Sequence, residues 1–140
     1  MGYNLKPINK KEPEIVMGAF IWTIILEETG MGYVLGYGKG IDPGTYIYQQ
    51  GNKGSPASND GYKVSSKEAK MMAIVARGYI SVQEFVNKQW SELPEEKRAW
   101  KKESLEKGEN YYRREVGVEF LDKIKQFCDF AEKSKGFRIY

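Results

Sequence analysis

The chain has 140 residues, 41% apolar and 29% charged, with 22 Lys and Arg against 19 Asp and Glu. That length suits one domain able to bury about 68–70% of its unfolded surface without metal or disulfide staples. With no histidine and one cysteine, the composition excludes Ser/His/Asp and Cys/His catalysis, histidine-bearing zinc sites, Cys-x-x-Cys chemistry and a disulfide within one chain.

Residues 1–60 hold 5 basic and 6 acidic residues, residues 61–140 hold 17 and 13, so an anion-attracting face belongs mainly to the second half. Tyrosines, 10 in number, suit half-exposed pockets and interfaces.

The longest apolar stretch, Ile15 to Leu26, contains Gly18 and is followed by Glu27 and Glu28. It is shorter than the roughly 20 residues of a membrane span, and no small-residue cleavage site follows it as in a signal peptide. The pattern predicts a buried helix over Ile15–Thr29, with Pro13 near its start and Gly30 turning the chain at its end. No membrane partner is expected. A cytoplasmic location is, that of the host cell if the chain is phage-encoded, and core packing is expected for Cys128.

From Gly30 to Gly61 glycines punctuate a loop-and-strand region. Asp42-Pro43-Gly44 and Asn59-Asp60-Gly61 read as tight turns, Thr45–Gln50 as a short strand and Tyr33–Tyr37 as another. Ser65-Ser66-Lys67-Glu68 is a capping box that starts a helix with Ala69, Met72, Ala73 and Ala76 on one apolar face. Arg77-Gly78 marks its end, after which Ser81-Val82-Gln83-Glu84 starts another helix with Val82, Phe85, Val86 and Trp90 inward. A single helix tolerating Gly78 is the alternative.

Residues 91–109 read as a charged helical insertion, solvated and laced with i,i+4 pairs, in which Trp100 is either a partner anchor or a cap on the core edge. A last helix is predicted over Asn110–Ser134, its stripe formed by Val116, Phe120, Ile124, Phe127, Cys128 and Ala131. Phe137-Arg138-Ile139-Tyr140 alternates like a terminal strand that can pair with Gly2-Tyr3-Asn4-Leu5 or with the central strands. These elements define an α+β class: one helix-dominated domain over 1–140 with a small antiparallel sheet and a long C-terminal helix.

The opening Met1-Gly2-Tyr3-Asn4-Leu5, the Ser58-Asn59-Asp60-Gly61 turn before Val64-Ser65 and a helix with Ala69 and Ala73, and the ending Phe127-Cys128 followed by Gly136-Phe137-Arg138-Ile139-Tyr140 resemble a scattered family of small uncharacterised bacterial and bacteriophage proteins. The resemblance implies a phage or bacterial origin and assigns no site residue.

For chemistry, Gly36-Tyr37-Gly38-Lys39-Gly40 is either a flexible loop or an anion contact, since it fits neither phosphate-loop nor dinucleotide spacing. Tyr111-Tyr112-Arg113-Arg114 sets stacking rings beside bidentate donors, as a base and a phosphate require, or else forms a solvated helix face. An enzyme would have to use Glu27 or Glu28 as a base, or Asp60 with neighbouring carbonyls on a cation, without a recognisable acid–base–nucleophile set. No cofactor, metal site or catalysis is therefore expected.

The expected ligand-binding set is Tyr37, Lys39, Asn59, Asp60, Tyr111, Tyr112, Arg113, Arg114 and Arg138. The leading expectation is a noncatalytic homo-oligomer that sequesters a phosphorylated, nucleotide-derived signal and so blocks a host defence pathway. The alternatives are a protein-interaction module docking through Trp90, Trp100 and the charged helix, or an enzyme using carboxylate, tyrosine or lysine chemistry. Duplex nucleic acid is not expected, because bases and acids interleave throughout 88–125.

Overall fold

The computed structural model describes residues 2–38, 54–108 and 113–140. In chain order the elements are β1 (Gly2–Pro7), β2 (Ile15–Gly18), α1 (Ala19–Glu28), a short 3₁₀ helix (Met31–Leu35), β3 (Tyr62–Ser65), α2 (Ser66–Ser91), α3 (Glu95–Glu106), α4 (Val118–Lys133) and β4 (Gly136–Ile139). The class is α+β, with a four-stranded antiparallel sheet in the order β2-β1-β4-β3.

Strand alternation sorts the sheet into two faces. Tyr3, Leu5, Met17, Tyr62, Val64, Phe137 and Ile139 are buried, while Asn4, Lys6, Val16, Lys63 and Arg138 face outward. The inner face meets α1, α2 and α4 around an aromatic cluster. Trp22 stacks on Phe127 with centroids 5.4 Å apart, and Phe137 meets Phe127 edge-on at 5.8 Å. Both buried polar ends of this layer hold the chain at 56–57: Trp22 Nε1 donates to the Pro56 carbonyl at 2.9 Å and Tyr3 Oη to that of Ala57 at 2.7 Å.

The terminal strand forms as the alternation predicts, and it pairs with both expected neighbours. Leu5 faces Ile139 on one side, and Tyr62 faces Ile139 on the other. Gly136 makes this possible. Its φ is +98°, and a Cβ there would stand 2.7 Å from the Val64 carbonyl oxygen. The predicted capping box is also present, with Ser65 Oγ accepting from the Glu68 amide and Glu68 Oε1 accepting from the Ser65 amide at 3.1 and 2.9 Å.

Several boundaries differ from expectation. Ile15–Gly18 is not the first turn of a helix but strand β2, in register with Gly2–Leu5, and α1 begins only at Ala19. A continuous apolar run does not distinguish the two states, and the available edge of β1 decided it. Tyr33–Tyr37 is not a strand. Gly30 and Gly36, at φ +78° and +74°, bracket the 3₁₀ helix Met31–Leu35 instead.

Gly78 does not end the helix, and α2 runs through it to Ser91. Glycine costs a helix about 1 kcal/mol relative to alanine. Burial of Tyr79, Ile80, Gln83 and Trp90 beyond it outweighs that. Within this continuous helix Val82 and Phe85 point outward rather than inward, Val86 is half-buried and Trp90 is buried. The last helix starts at Val118, eight residues later than expected, because 113–116 spend their backbone hydrogen bonds on α2. The Thr45–Gln50 strand and the Asp42-Pro43-Gly44 turn lie outside the described residues.

Helix α4 buries Leu121, Ile124, Phe127, Cys128, Phe130 and Ala131. It packs closely on the alanine face of α2, where Cys128 Sγ lies 3.9 Å from the Ala73 carbonyl. Arg77 then ties the two helices at their rim, donating to Glu132 at 2.8 and 2.6 Å and to Asp129 at 2.8 Å. Among the described residues no helix is long and apolar enough to cross a membrane.

Candidate functional site

The segment leading into α4 is held by three side chains on one face of α2, at positions i, i+4 and i+7. Gln83, buried, accepts from Arg113 Nε at 2.8 Å and donates to the Arg114 carbonyl at 2.6 Å and to Asn87 Oδ1 at 2.9 Å. Asn87 closes both backbone groups of Val116, donating at 2.8 Å and accepting at 3.0 Å. Trp90 Nε1 donates to the Arg113 carbonyl at 2.8 Å. These contacts satisfy backbone groups that neither helix nor sheet could pair here.

The same clamp presents the arginines. The Arg113 guanidinium lies over the Tyr79 ring, 5.1 Å from its centroid, while Gln83 holds its Nε. Burial raises the Tyr79 hydroxyl pKa, as does the nearby Glu28 charge, and Arg113 opposes both. The ring therefore carries its proton through the physiological range.

Helix α3 forms the facing wall. Arg98 anchors it, donating to the Trp90 and Ser91 carbonyls at the C-terminal end of α2 and to that of Leu93 just beyond, at 3.2–3.3 Å. Lys102 meets Glu115 at 3.9 Å, and Lys101 sits over the Trp90 ring at 5.8 Å. Between the walls lie two open hollows of about 230 and 270 Å³ that share Leu105 and Arg114. Trp90, Lys102, Glu106 and Glu115 line the first; Glu28, Tyr79, Gln83, Arg113 and Val116 line the second. The lining mixes guanidinium, ammonium and carboxylate groups with aromatic rings. Such a surface can meet phosphate oxygens with one set of groups and hydroxyl donors with the other.

Of the expected site residues, Arg113 and Arg114 come together here. Asn59, Asp60 and Arg138 lie around the β3–β4 end of the sheet, where Asn59 Nδ2 donates to the Gly2 carbonyl and Arg138 Nη1 to that of Gly61, both at 3.1 Å. Gln83 is about 27 Å along α2 from Ser65 at that end. Tyr37, half-buried, follows the 3₁₀ helix and donates its amide to Gly32. Lys39, Tyr111 and Tyr112 lie outside the described residues. Among those described, no group of three metal-ligating side chains forms around Asp60 or elsewhere.

Tyr79, Gln83 and Asn87 were not among the expected site residues. Two amides at helical spacing on an otherwise apolar face were the signal that could have found them.

Fold and site together define an α+β protein with an open groove in which Arg113 is preset against the Tyr79 ring and Arg114 lines the wall beside it. No family model, curated protein or solved structure matches the chain.

Proposed function

We propose that the chain is a noncatalytic binding protein that takes a small phosphorylated, nucleotide-derived ligand into the groove between α2, α3 and residues 113–116. One observation carries the reading: Arg113, held against Tyr79 by Gln83, lines one hollow beside Arg114, which borders both. Preset donors lower the ordering cost of capturing an anion. Arg113 and Arg114 would take phosphate oxygens, and Glu28 and Glu106 sugar hydroxyls.

In this reading the protein works in the cytoplasm, as a homo-oligomer of phage type. It lowers the free concentration of a host defence signal and leaves that signal chemically intact.

The test is a thermal-shift panel of cyclic and ADP-ribose-derived nucleotides. A ligand at a hundred times its Kd adds about 2.7 kcal/mol to folding. The expected Tm gain is roughly 9 °C, lost in the Arg113→Ala and Arg114→Ala variants. Mass spectrometry of the released ligand should show it unchanged. No shift with any of the panel at high micromolar concentration, or turnover of the ligand, overturns the proposal.

A second reading, a protein-docking module, draws on Trp100, which is 58% exposed on α3. Trp90 cannot share that role, being buried with its indole N–H engaged. A discrete partner captured by the wild type and lost in Trp100→Ala would favour it.

A further inference from the structure

Helix α2 carries two apolar faces. One packs into the core through Ala69, Met72, Ala73, Ala76 and Ile80. On the opposite side Met71, Ile74, Val82 and Phe85 are 44, 66, 52 and 63% exposed, with Gly78 among them and nothing within 4 Å of where its Cβ would stand. At 100° per residue these five positions fall within about 80° of arc and run about 21 Å along the helix. A solvated face of a helix is ordinarily polar, so a second stripe of this length needs a cover.

Its spacing says which cover fits. Ile74 and Val82 stand four residues on either side of Gly78, Met71 and Phe85 seven. From this symmetry we propose that α2 pairs antiparallel with α2 of a second copy, about a two-fold axis at Gly78. Ile74 then meets Val82 of the other copy, and Met71 meets Phe85, a sulfur–aromatic pair that the axis makes twice. Gly78 faces itself, so the helix axes can approach more closely than a side chain would allow.

The parallel arrangement is disfavoured. It sets Lys67 against Lys67 and aligns the helix dipoles, whereas the antiparallel one sets Lys67 against Gln89 and opposes them. Five positions are far fewer than the roughly 20–30 residues a side of a standard interface, so the dimer is concentration-dependent.

This names the surface behind the oligomer included in the proposed function and rests on that reading for the oligomer alone. Sedimentation velocity from micromolar to submillimolar protein should show reversible monomer–dimer exchange. Ile74→Asp and Phe85→Asp, both at exposed positions, should weaken it by at least about tenfold while leaving the melting curve in place. Orientation is read by oxidative cross-linking. Ile74→Cys with Val82→Cys should form a disulfide-linked dimer, and Ile74→Cys alone should not.

A monomer at every concentration, or efficient cross-linking of Ile74→Cys alone, overturns the proposal. Nucleotide binding by a monomeric Phe85→Asp variant is scored separately, so failure of the dimer and failure of the ligand reading are told apart.

Discussion

Replacing Gln83 by methionine tests whether the clamp on residues 113–116 holds this part of the fold. Methionine matches the volume of glutamine, so no cavity opens and the loss is confined to hydrogen bonds. Those are the bonds to Arg113 Nε, the Arg114 carbonyl and Asn87 Oδ1. A neutral bond contributes about 1 kcal/mol and one to a charged group about 1.5–3, the latter discounted here for solvent around Arg113. The expected cost is about 2–3 kcal/mol. An unfolding entropy of about 2.1 cal/mol/K per residue converts that to a Tm lower by about 7–10 °C.

Far-UV circular dichroism would measure the melt, and hydrogen exchange at the Val116 amide, which donates to Asn87 Oδ1, would report the segment directly. Because Gln83 also holds Asn87, the Gln83→Met and Asn87→Ala costs should be non-additive by about 0.5 kcal/mol or more. A Gln83→Met loss below about 0.5 kcal/mol, with Val116 exchange unchanged, would refute the reasoning.

Three further outcomes follow from the packing. Gly136→Ala places a methyl on the Val64 carbonyl at a φ of +98° and should cost more than about 1–3 kcal/mol, seen in chemical denaturation. Arg77→Ala should cost no more than about 1 kcal/mol at neutral pH, because its bridges to Glu132 and Asp129 are half-exposed. The Arg77 hydrogen bonds lower the Glu132 pKa. That stability is present above the unfolded carboxylate value of about 4.3 and lost as pH falls through the lower folded value, so the two melting curves should converge once the pH lies below both; a persistent gap would assign the effect to packing. The buried Cys128 thiol is pushed up to about 11, first by desolvation. It should resist a thiol reagent at pH 8 until the chain unfolds, and wild type should lose stability as pH rises from about 9 toward 11, a loss smaller in Cys128→Ala, where the raised Tyr79 hydroxyl still contributes.

How far the residues themselves disclosed this architecture depends on the range of the interactions involved. The Ser65–Glu68 capping box and the α4 stripe from Ile124 to Ala131 were legible because their partners lie within a turn or two. Ile15–Gly18 was not, since an apolar run suits helix or strand until β1 offers it an edge. In the site, Arg113 and Arg114 were visible as cations, but their support by Tyr79 and Gln83 joins residues about 30 positions apart.

Composition and local pattern determined the helix-dominated α+β class, the start of α2, the terminal strand and the lack of histidine-based chemistry. Tertiary structure decided that α2 continues through Gly78 and leaves Val82 and Phe85 outside. It also decided that 113–117 stays outside α4 and that Arg113 lies over Tyr79 beside a hollow that Arg114 and Leu105 also line. The physical reason is cooperativity: near-neighbour preferences of about 1 kcal/mol set local conformation only until burial and buried hydrogen bonds of several kcal/mol, made between distant segments, override them.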